Sequence, residues 1–365
     1  MPFADELIGP DTARALFRTV RTAAPSADLS LLDGSADVLG PLALRARADL
    51  LRDALLTGLP GSYVQFADTI RRAATDPDFQ GWLVWPVTSA VASKAVEEKS
   101  SGAFDDGMAL LAELTGRLSS EFAIRTLLRA DLDRALAIAL EWTQSSDEHV
   151  RRLASEGTRP YLPWSVRVPE ILTRPGITVP ILDRLYRDDS DYVRRSVANH
   201  LNDFSRDVPD IVVQTAARWL DDPDANTDRL VRHALRTVIK NGNTDALALL
   251  GFAPADLDVT GPALDVVEVH VGDSVEFSAS IRNLGLEPAK VVIDYIVHHT
   301  KANGGVTGKT FKLKTTTIAP SASLDVARQH SFRTITTRKY YPGPHAIELQ
   351  INGVSYGRAE FVLVS

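Results

Sequence analysis

Few side chains in this sequence could carry out chemistry. The chain contains no cysteine, which excludes disulfides, thiolate metal sites, iron–sulfur clusters and a cysteine nucleophile. It also has no glycine-rich phosphate loop, no HExxH motif and no serine-centred elbow. His298 and His299 lie in a strand-like run, where neighbouring side chains point to opposite faces, so the pair is a poor metal site. The sequence therefore predicts neither a metal nor a cofactor, and it leaves isolated carboxylates and tryptophans as candidates.

Three of these candidates lie in distinctive surroundings. Glu121 follows a Ser-Ser step in "RLSSEFAIR", and Trp164 follows Pro160 and Pro163 in the rigid loop "GTRPYLPWS". Asp203 ends the phrase "NHLND". Each residue also has a structural explanation: a glutamate that complements a helix dipole, a tryptophan that anchors the core, and an aspartate that caps a helix. The residues taken alone leave both kinds of explanation open.

The elements that would position these candidates include a phrase written three times. "HVRRLASE", "YVRRSVAN" and "LVRHALRT" each place Val-Arg on an amphipathic helix. Val150 and Val193 are 43 residues apart, and Val193 and Val231 are 38 apart. Helical pairs at such a period are typical of HEAT-like repeats, which stack into a curved solenoid.

The arginines of this phrase fall on one side of the predicted helices. In the second copy the core-facing stripe is formed by Val193, Val197, Leu201 and Phe204. On the opposite face Arg195 corresponds to Arg152 of the first copy, and Asn199 corresponds to Glu156. Equivalent arginines on successive helices would line one wall at a spacing suited to a phosphate backbone. A solvated face of arginine–glutamate pairs explains the same pattern.

The chain changes character near its last third. Helical periodicity dominates the beginning of the chain, and the long apolar stretch 103–144 should break near 118–120 and 130–131. After it come seven short β-rich runs separated by Gly, Asn and Pro turns, typical of an antiparallel sandwich of immunoglobulin-like size. The predicted domains are 1–253, which is helical, and 254–365, which is all-β.

Charge and hydropathy limit the partners and the location. The formal net charge is −7, which argues against nucleic acid unless the basic residues gather on one face. No apolar run approaches the roughly 20 residues of a membrane span. The first residues lack the basic and apolar regions of a signal peptide. We therefore expect a cytoplasmic protein without a membrane partner.

Several long phrases resemble one enzyme family. "RLSSEFAIR", "HVRRLASEGTRPYLPW", "YVRRSVANHLND" and "DYIVHHTKANGGVTGKTFKLK" resemble the AlkC-type DNA alkylpurine glycosylases, relatives of the AlkD type. The similarity covers roughly residues 60–360 and keeps the order and spacing of the phrases. It implies a mainly α fold, a HEAT-like solenoid followed by an immunoglobulin-like module. It also implies release of cationic alkylated bases from duplex DNA without base flipping, chiefly 3-methyladenine, and in AlkC members 3-methylcytosine and 1-methyladenine.

The resemblance also assigns roles to residues. It implies a catalytic cluster of Glu121, Trp164 and Asp203. The helical DNA wall would contain Arg152, Arg159, Arg194 and Arg195, supported by Glu156 and Asn199. The family resemblance implies a basic residue at position 161, where it would make one more phosphate contact. Tyr161 departs from this pattern.

A basic hairpin in the β-rich half is a second expected DNA contact. It carries Lys301, Lys309, Lys312 and Lys314, although the sandwich as a whole has as many acidic as basic residues. A solvated hairpin tip is the structural explanation of the same cluster.

The implied reaction requires few catalytic groups. A 3-alkyladenine already carries a positive charge, so its glycosidic bond is weak and its leaving group needs no general acid. A carboxylate can stabilise the oxocarbenium-like sugar and guide water to C1′. An indole face can hold a cation with about 0.5–2 kcal/mol.

Two other functions fit a repeat protein. One is a non-enzymatic scaffold that binds proteins, and the other is a damage-sensing DNA-binding protein without catalysis. The enzyme hypothesis requires Glu121, Trp164 and Asp203 to converge on the wall that carries Arg152 and Arg195. We expect a monomer whose partner is duplex DNA with alkylated bases.

Overall fold

The computed structural model describes residues 4–334 and 339–365 of the chain. It divides into two compact units, Met1–Ala234 and Leu235–Ser365. The first unit is helical, and the second is built mainly of β-strands. No helix in the described ranges is both long enough and apolar enough to cross a bilayer.

Turns and loops of different lengths join the helices of the first unit. In chain order the helices are α1 (Ala4–Leu7), α2 (Pro10–Ala23), α3 (Ser30–Asp33), α4 (Leu44–Gly58), α5 (Tyr63–Ala73), α6 (Val84–Glu97), α7 (Ser101–Thr115), α8 (Ile124–Ala130), α9 (Leu132–Trp142), α10 (Glu148–Glu156), α11 (Pro169–Thr173), α12 (Val179–Leu185), α13 (Asp191–Asp203), α14 (Pro209–Asp221) and α15 (Thr227–Ala234). Short 3₁₀ turns cover Gly34–Asp37, Gly81–Leu83 and Phe204–Arg206.

Capping residues set where several helices begin. Asp131 accepts a hydrogen bond from the Arg134 amide at the start of α9, and Asp147 accepts one from the His149 amide at the start of α10. Such caps satisfy amides that lack a partner within the helix and contribute about 1 kcal/mol each. The predicted interruptions of the stretch 103–144 are confirmed, because α7, α8 and α9 are separate helices.

The three helices that carry the Val-Arg phrase are neighbours in space. Helix α10 packs against α13, and α13 packs against α15. The predicted apolar stripe of α13 is confirmed, since its members are buried: Val193, Val197, Leu201 and Phe204. Burial of each such side chain contributes about 1.5–3 kcal/mol. The repeated phrase therefore builds helices that pack in series, α10 against α13 and α13 against α15.

The second unit contains two short helices and two packed sheets. The helices are α16 (Arg236–Lys240) and α17 (Thr244–Leu249), and the strands are β1 (Leu257–Leu264), β2 (Glu268–His270), β3 (Ser274–Asn283), β4 (Ala289–Thr300), β5 (Val306–Ile318), β6 (Ser323–Ser331), β7 (Gly343–Ile351) and β8 (Val354–Val364). One sheet has the order β1-β3-β6, and the other has the order β2-β8-β7-β4-β5. The pairs are antiparallel except β2–β8, which is parallel. Both sheets contribute to one core, where the rings of Phe277 and Tyr295 lie 5.0 Å apart.

The described part of this unit has eight strands, whereas the sequence predicts seven. The additional strand is β1, whose sequence "LDVTGPAL" contains a Gly-Pro pair and whose register shifts between Thr260 and Ala263. Glycine and proline interrupt the alternation by which a strand is recognised. Local pattern therefore misses a strand that its pairing with β3 stabilises.

The unit division differs from the predicted domain boundary at 253/254. Leu247 of α17 and the following Phe252 pack against Val292 of β4, outside the main sandwich core. This small apolar cluster joins the last two helices to the sheet. The compact β-rich unit therefore starts at Leu235, before the change in sequence pattern.

Candidate active site

A cleft of about 320 Å³ opens in the helical unit beside α10. Its walls include Trp82, Ser119, Glu121, Phe122, Arg152, Glu156, Arg159, Leu162, Pro163, Trp164 and Tyr192. The structure thus brings Glu121 and Trp164 to one cavity together with Arg152. Asp203 does not line the cleft, but it lies directly behind Arg159.

Glu121 lies in the loop between α7 and α8 and is held by one of its two oxygens. The Ser119 hydroxyl donates to Oε2 at 2.9 Å, and Arg152 Nη1 donates to the same oxygen at 2.6 Å. Among the described residues, no donor lies within hydrogen-bond distance of Oε1. The side chain is 14% exposed. One carboxylate oxygen is therefore fixed, and the other remains available in the cleft.

Aromatic stacking anchors the loop that carries Glu121. The ring of Phe122 stacks on Trp85 of α6, with 4.3 Å between centroids.

The first turn of α8 contains no acidic residue, so Glu121 does not act as the helix-dipole partner that local sequence would suggest. Its charge is instead directed to Arg152.

Asp203 is paired with Arg159 on both oxygens. Arg159 Nε donates to Oδ2 at 2.9 Å, and Nη2 donates to Oδ1 at 3.0 Å. The Tyr161 amide adds a third bond, to Oδ2 at 3.3 Å. Asp203 is the last residue of α13, but its side chain makes no capping bond. Its carboxylate therefore positions the loop after α10.

Glu156 connects the two ion pairs. Its Oε1 accepts from Arg159 Nη1 at 2.6 Å and lies 3.8 Å from Arg152 Nη2, while the Ser196 hydroxyl donates to Oε2 at 2.6 Å. The order of charges is Glu121, Arg152, Glu156, Arg159, Asp203. The charged side chains that line the cleft are the two carboxylates of Glu121 and Glu156 and the two guanidinium groups of Arg152 and Arg159, so their formal charges cancel.

Burial and pairing act in opposite directions on the two arginines. Burial lowers the pKa of Arg152 and of Arg159, because the interior disfavours the charged form. The adjacent carboxylates of Glu121, Glu156 and Asp203 outweigh burial, so both pKa values lie above the usual range of arginine. The adjacent carboxylates therefore favour the charged form of both guanidinium groups.

Trp164 is half exposed and has an unusual backbone conformation. Its side chain is not a core anchor, since Trp164 is 48% exposed. Its φ is +58°, a left-handed conformation that costs an ordinary residue about 1–2 kcal/mol. Arg45 at the start of α4 donates to the Trp164 carbonyl. The loop thus presents the indole at the cleft at the expense of backbone strain.

Arg125 supports the loop that carries Trp164, and sequence analysis did not identify this residue. The side chain is fully buried in α8 and donates to the carbonyls of Gly157 at 3.2 Å, Arg159 at 2.8 Å and Val166. Burial lowers its pKa to about 10, and the nearby positive charges add to this shift. Its position at the end of "RLSSEFAIR", four residues after Glu121, is the signal that could have identified it.

Helix α10 approaches α8 closely at Gly157. A Cβ atom on Gly157 would lie 2.7 Å from Ile124 Cγ2 and 2.9 Å from the Leu153 carbonyl oxygen. Only glycine fits this contact without a shift of the backbone. The close approach puts the Gly157 carbonyl within reach of Arg125.

Three of the arginines that are predicted to contact DNA are largely buried, with side-chain exposures of 16% for Arg152, 10% for Arg159 and 12% for Arg194. Arg152 and Arg159 pair with carboxylates in and behind the cleft. Arg194 is largely buried and donates to the carbonyls of Asp188 and Asp189. Their guanidinium groups are engaged within the protein, because local carboxylates and carbonyls satisfy them.

Arg195 keeps the exposed position that the helical projection predicts. It is 61% exposed and pairs with Asp191 at 3.0 Å, and it lines a separate groove together with Arg229 and His233. Arg152 and Arg195 are thus equivalent in sequence but differ in surroundings. Asn199 lies on the partly exposed side of α13 and does not line the cleft.

Tyr192 and Ser119 also belong to the cleft, and sequence analysis did not single them out. The Arg152 guanidinium lies over the Tyr192 ring, 4.8 Å from its centroid. Tyr192 directly precedes Val193 in the repeated phrase, and Ser119 precedes Glu121 by two residues. Proximity to predicted residues is the only sequence signal for either.

The four predicted lysines of the second unit lie on one hairpin. Lys301 is exposed in the turn between β4 and β5. The other three are on β5, an edge strand of the five-stranded sheet, where Lys312 and Lys314 are exposed and Lys309 lies 5.0 Å from the Phe311 ring centroid. The hairpin is therefore a basic edge of its own unit.

Comparison with known proteins identifies similar chains. Residues 258–365 match the family model described as "Uncharacterised protein YhaZ, C-terminal Ig-like domain". The uncharacterized protein YhaZ of Bacillus subtilis (strain 168) is 35% identical over 313 residues, covering 86% of this chain and 85% of YhaZ. The alkylpurine DNA glycosylase AlkC of Pseudomonas fluorescens, solved bound to DNA containing an abasic site analog, is 34% identical. It superposes with a TM-score of 0.82 over 100% of both chains.

Proposed function

The chain belongs to the AlkC family, and from this premise we propose that it is a DNA glycosylase that releases cationic N-alkylated bases from duplex DNA. The expected substrates are 3-methyladenine and also 3-methylcytosine and 1-methyladenine. Each is a cation whose departure as a neutral base needs no general acid.

One observation carries this proposal. Glu121 is fixed through Oε2 by Arg152 and Ser119, while Oε1 has no partner among the described residues of the cleft. A carboxylate oxygen held rigidly in a partly buried site stabilises a developing positive charge, because little reorganisation is needed during the reaction. Trp164 lies in the same cleft, where its indole face would attract the same cation.

The reaction we propose balances as a hydrolysis. The bond from C1′ of the sugar to the base nitrogen breaks, and its electron pair neutralises the positive charge of the base. Water, oriented by Glu121 Oε1, forms the new C1′–O bond and loses a proton to the carboxylate or to solvent. The products are the free base and an abasic site.

Asp203 has a different role from Glu121 in this proposal. Both of its oxygens are occupied by Arg159 and the Tyr161 amide, so it is poorly placed to activate water. Its charge adds to the negative potential of the cluster and keeps Arg159 and the Trp164 loop in place. Loss of this charge would therefore slow the reaction without direct contact with the base.

The rest of the molecule would bind DNA in this proposal. Helices α10, α13 and α15 would form part of a HEAT-like solenoid, with residues 1–253 as the glycosylase domain and 254–365 as the immunoglobulin-like module. Arg195 and the basic hairpin (Lys301, Lys309, Lys312 and Lys314) would contact phosphates. We expect a monomer that leaves the damaged base out of any enclosed pocket.

Base release tests the proposal directly. The purified protein is incubated with a duplex containing N3-methyladenine, with and without EDTA, and the free base is measured. We expect EDTA to leave base release unchanged, since neither cleavage of the bond to the base nor addition of water requires a metal. Binding of the duplex without base release would support a non-enzymatic protein, and loss of release in EDTA would contradict the metal-free mechanism.

A further inference from the structure

Two arginines contact the ring of Tyr161, the residue that precedes Leu162 of the cleft wall. The guanidinium carbon of Arg167 lies 4.3 Å from the centroid of the Tyr161 ring, and that of Arg206 lies 4.7 Å from the same centroid. The two carbon atoms are therefore at most 9.0 Å apart. Each contact with the ring contributes about 0.5–1 kcal/mol at an exposed site, which offsets part of the repulsion between the two cations.

Both arginines are exposed and lack a carboxylate partner. Among residues 4–334 and 339–365, no carboxylate oxygen lies within ion-pair distance of Arg167 or Arg206. This distinguishes them from Arg152 and Arg159, whose charges are satisfied inside the fold. Arg167 is steadied by a bond from Nη1 to the Pro160 carbonyl at 3.2 Å.

Asp207 orients the ring through the Tyr161 hydroxyl and makes no ion pair with Arg167 or Arg206. Its Oδ2 accepts the Tyr161 hydroxyl at 2.5 Å, although Asp207 directly follows Arg206 in the chain. Two cations and one anion leave one net positive charge at this place. The surface around Tyr161 is thus positive, whereas the formal charges of the side chains that line the cleft cancel.

The ring is also tied to the active-site cluster. The Tyr161 amide donates to Asp203 Oδ2 at 3.3 Å, and three residues later the same loop carries Trp164. The Cα atoms of Tyr161 and Trp164 are at most about 11 Å apart, because consecutive Cα atoms are about 3.8 Å apart. An anion bound at Tyr161 would therefore lie close to anything bound at Trp164.

We propose that Arg167, Arg206 and Tyr161 form a clamp for DNA phosphate that sets the position of the damaged nucleotide. Guanidinium groups bind phosphate with paired hydrogen bonds, and two groups this close reach one phosphate or two neighbouring ones. Successive phosphates of one strand advance about 3.4 Å along the helix axis, so the clamped phosphate would be within a few nucleotides of Trp164. The proposal rests on the proposed function, since it assumes that the ligand is DNA.

Salt dependence of DNA binding tests the clamp. The variants are Arg167→Gln and Arg206→Gln, and the probe is a labelled undamaged duplex titrated between about 50 and 200 mM salt. Each lost phosphate contact should lower the slope of log K against log salt by about 0.9 and weaken binding about 3- to 10-fold. Arg14→Gln is the matched control, since Arg14 is exposed on α2 and pairs with Asp11. An unchanged slope in both clamp variants, or an equal change in the control, would overturn the proposal.

Variants of the ring separate its two contacts. Tyr161→Phe keeps the aromatic face and loses the bond to Asp207, so binding should stay within about 2-fold of wild type. Tyr161→Leu removes the face that holds the guanidinium groups and should weaken binding about as much as loss of one arginine. Equal binding by the Phe and Leu variants at wild-type strength would contradict the clamp.

Excision measured with the same variants tests the clamp hypothesis separately from the proposed glycosylase activity. At saturating protein, Arg167→Gln and Arg206→Gln should excise within about 3-fold of wild type, because phosphate contacts act mainly on binding. A normal binding slope combined with a large loss of excision rate would contradict the clamp. If the wild-type protein binds DNA through these arginines but releases no base, the glycosylase activity is wrong and the clamp stands.

Discussion

Arg159 binds Asp203 through two parallel hydrogen bonds, from Nε to Oδ2 at 2.9 Å and from Nη2 to Oδ1 at 3.0 Å. The pair is nearly buried, with side-chain exposures of 10% and 9%. Paired hydrogen bonds of this kind fix direction as well as distance. This ion pair therefore links the end of α13 to the loop after α10, which carries Trp164.

Removal of either member of this pair should lower the free energy of unfolding, and removal of both should lower it by less than the sum of the two single changes. Asp203→Asn removes one of the two carboxylates that bind Arg159, and Arg159→Gln leaves the Asp203 carboxylate without its guanidinium partner. We expect each to lower the free energy of unfolding by about 1–3 kcal/mol. The double variant should lose less than the sum of the two, because neither charge remains. Urea denaturation of the four proteins measures this coupling. Strictly additive losses would contradict it, and excision should stay low in the double variant.

Two substitutions of Trp164 should separate its chemistry from its strain. Trp164→Ala and Trp164→Gly both remove the indole, so both should slow excision by about 2- to 30-fold, the equivalent of a lost cation–π contact. The Gly variant should be about 1 kcal/mol more stable than the Ala variant, because φ is +58° at this position. Thermal denaturation and single-turnover excision provide the two readouts. Equal stability of the two variants would argue against backbone strain.

Much of the fold follows from local sequence, and the exceptions have physical reasons. Periodicity correctly places the apolar stripe of α13 and the breaks around α8, because core-facing positions and caps are local properties. It misses β1, whose Gly-Pro pair hides a strand that pairs with β3. The packing of α17 against Val292 is a tertiary property that local pattern does not show, and the boundary at 253/254 remains a prediction.

The candidate site was only partly predictable. Glu121 and Trp164 are placed in one cleft as the family resemblance implies. The burial of Arg152 and Arg159 could not be predicted, because it depends on Glu121 and Asp203, which are distant in sequence. For the same reason the pairing of Arg167 and Arg206 on Tyr161 has no local signature.

His200 should make the helical unit less stable in mild acid. It is fully buried, with Nδ1 2.8 Å from the Ser155 carbonyl oxygen and Nε2 2.8 Å from the Thr178 hydroxyl. Burial lowers its pKa to about 3, and the charges of Arg159 and Arg125 act in the same direction. The unfolded chain, with a pKa near 6.5, binds the proton first as the pH falls. The free energy of unfolding should therefore fall from about pH 6.5 downward, by up to about 1.4 kcal/mol per pH unit.

Tryptophan fluorescence measures this effect in the helical unit alone, since all five tryptophans precede residue 235. Urea unfolding followed by this signal at about pH 5 and pH 6.5 should show a smaller difference in His200→Gln than in wild type. The same pH dependence in both proteins would assign it to other groups.

The basic hairpin of the second unit should strengthen binding to every duplex. Lys312→Gln combined with Lys314→Gln removes two exposed charges and should lower the slope of log K against log salt by up to about 1.8. Lys290→Gln is a suitable control, because Lys290 is exposed on β4 and lies over Phe252 instead. Equal slopes for the hairpin variant and wild type would restrict DNA binding to the helical unit.

Single-turnover excision by Glu121→Gln, paired with its affinity for undamaged duplex, tests the central claim most directly. The amide keeps the size of the side chain and its bond to Ser119 but removes the negative charge that would stabilise the sugar cation. We expect excision of N3-methyladenine to slow by about 100-fold or more, with affinity changed by less than about 3-fold. Glu113→Gln serves as the control, since Glu113 pairs with Arg71 outside the cleft. A Glu121→Gln protein that excises at close to the wild-type rate would place the active site elsewhere.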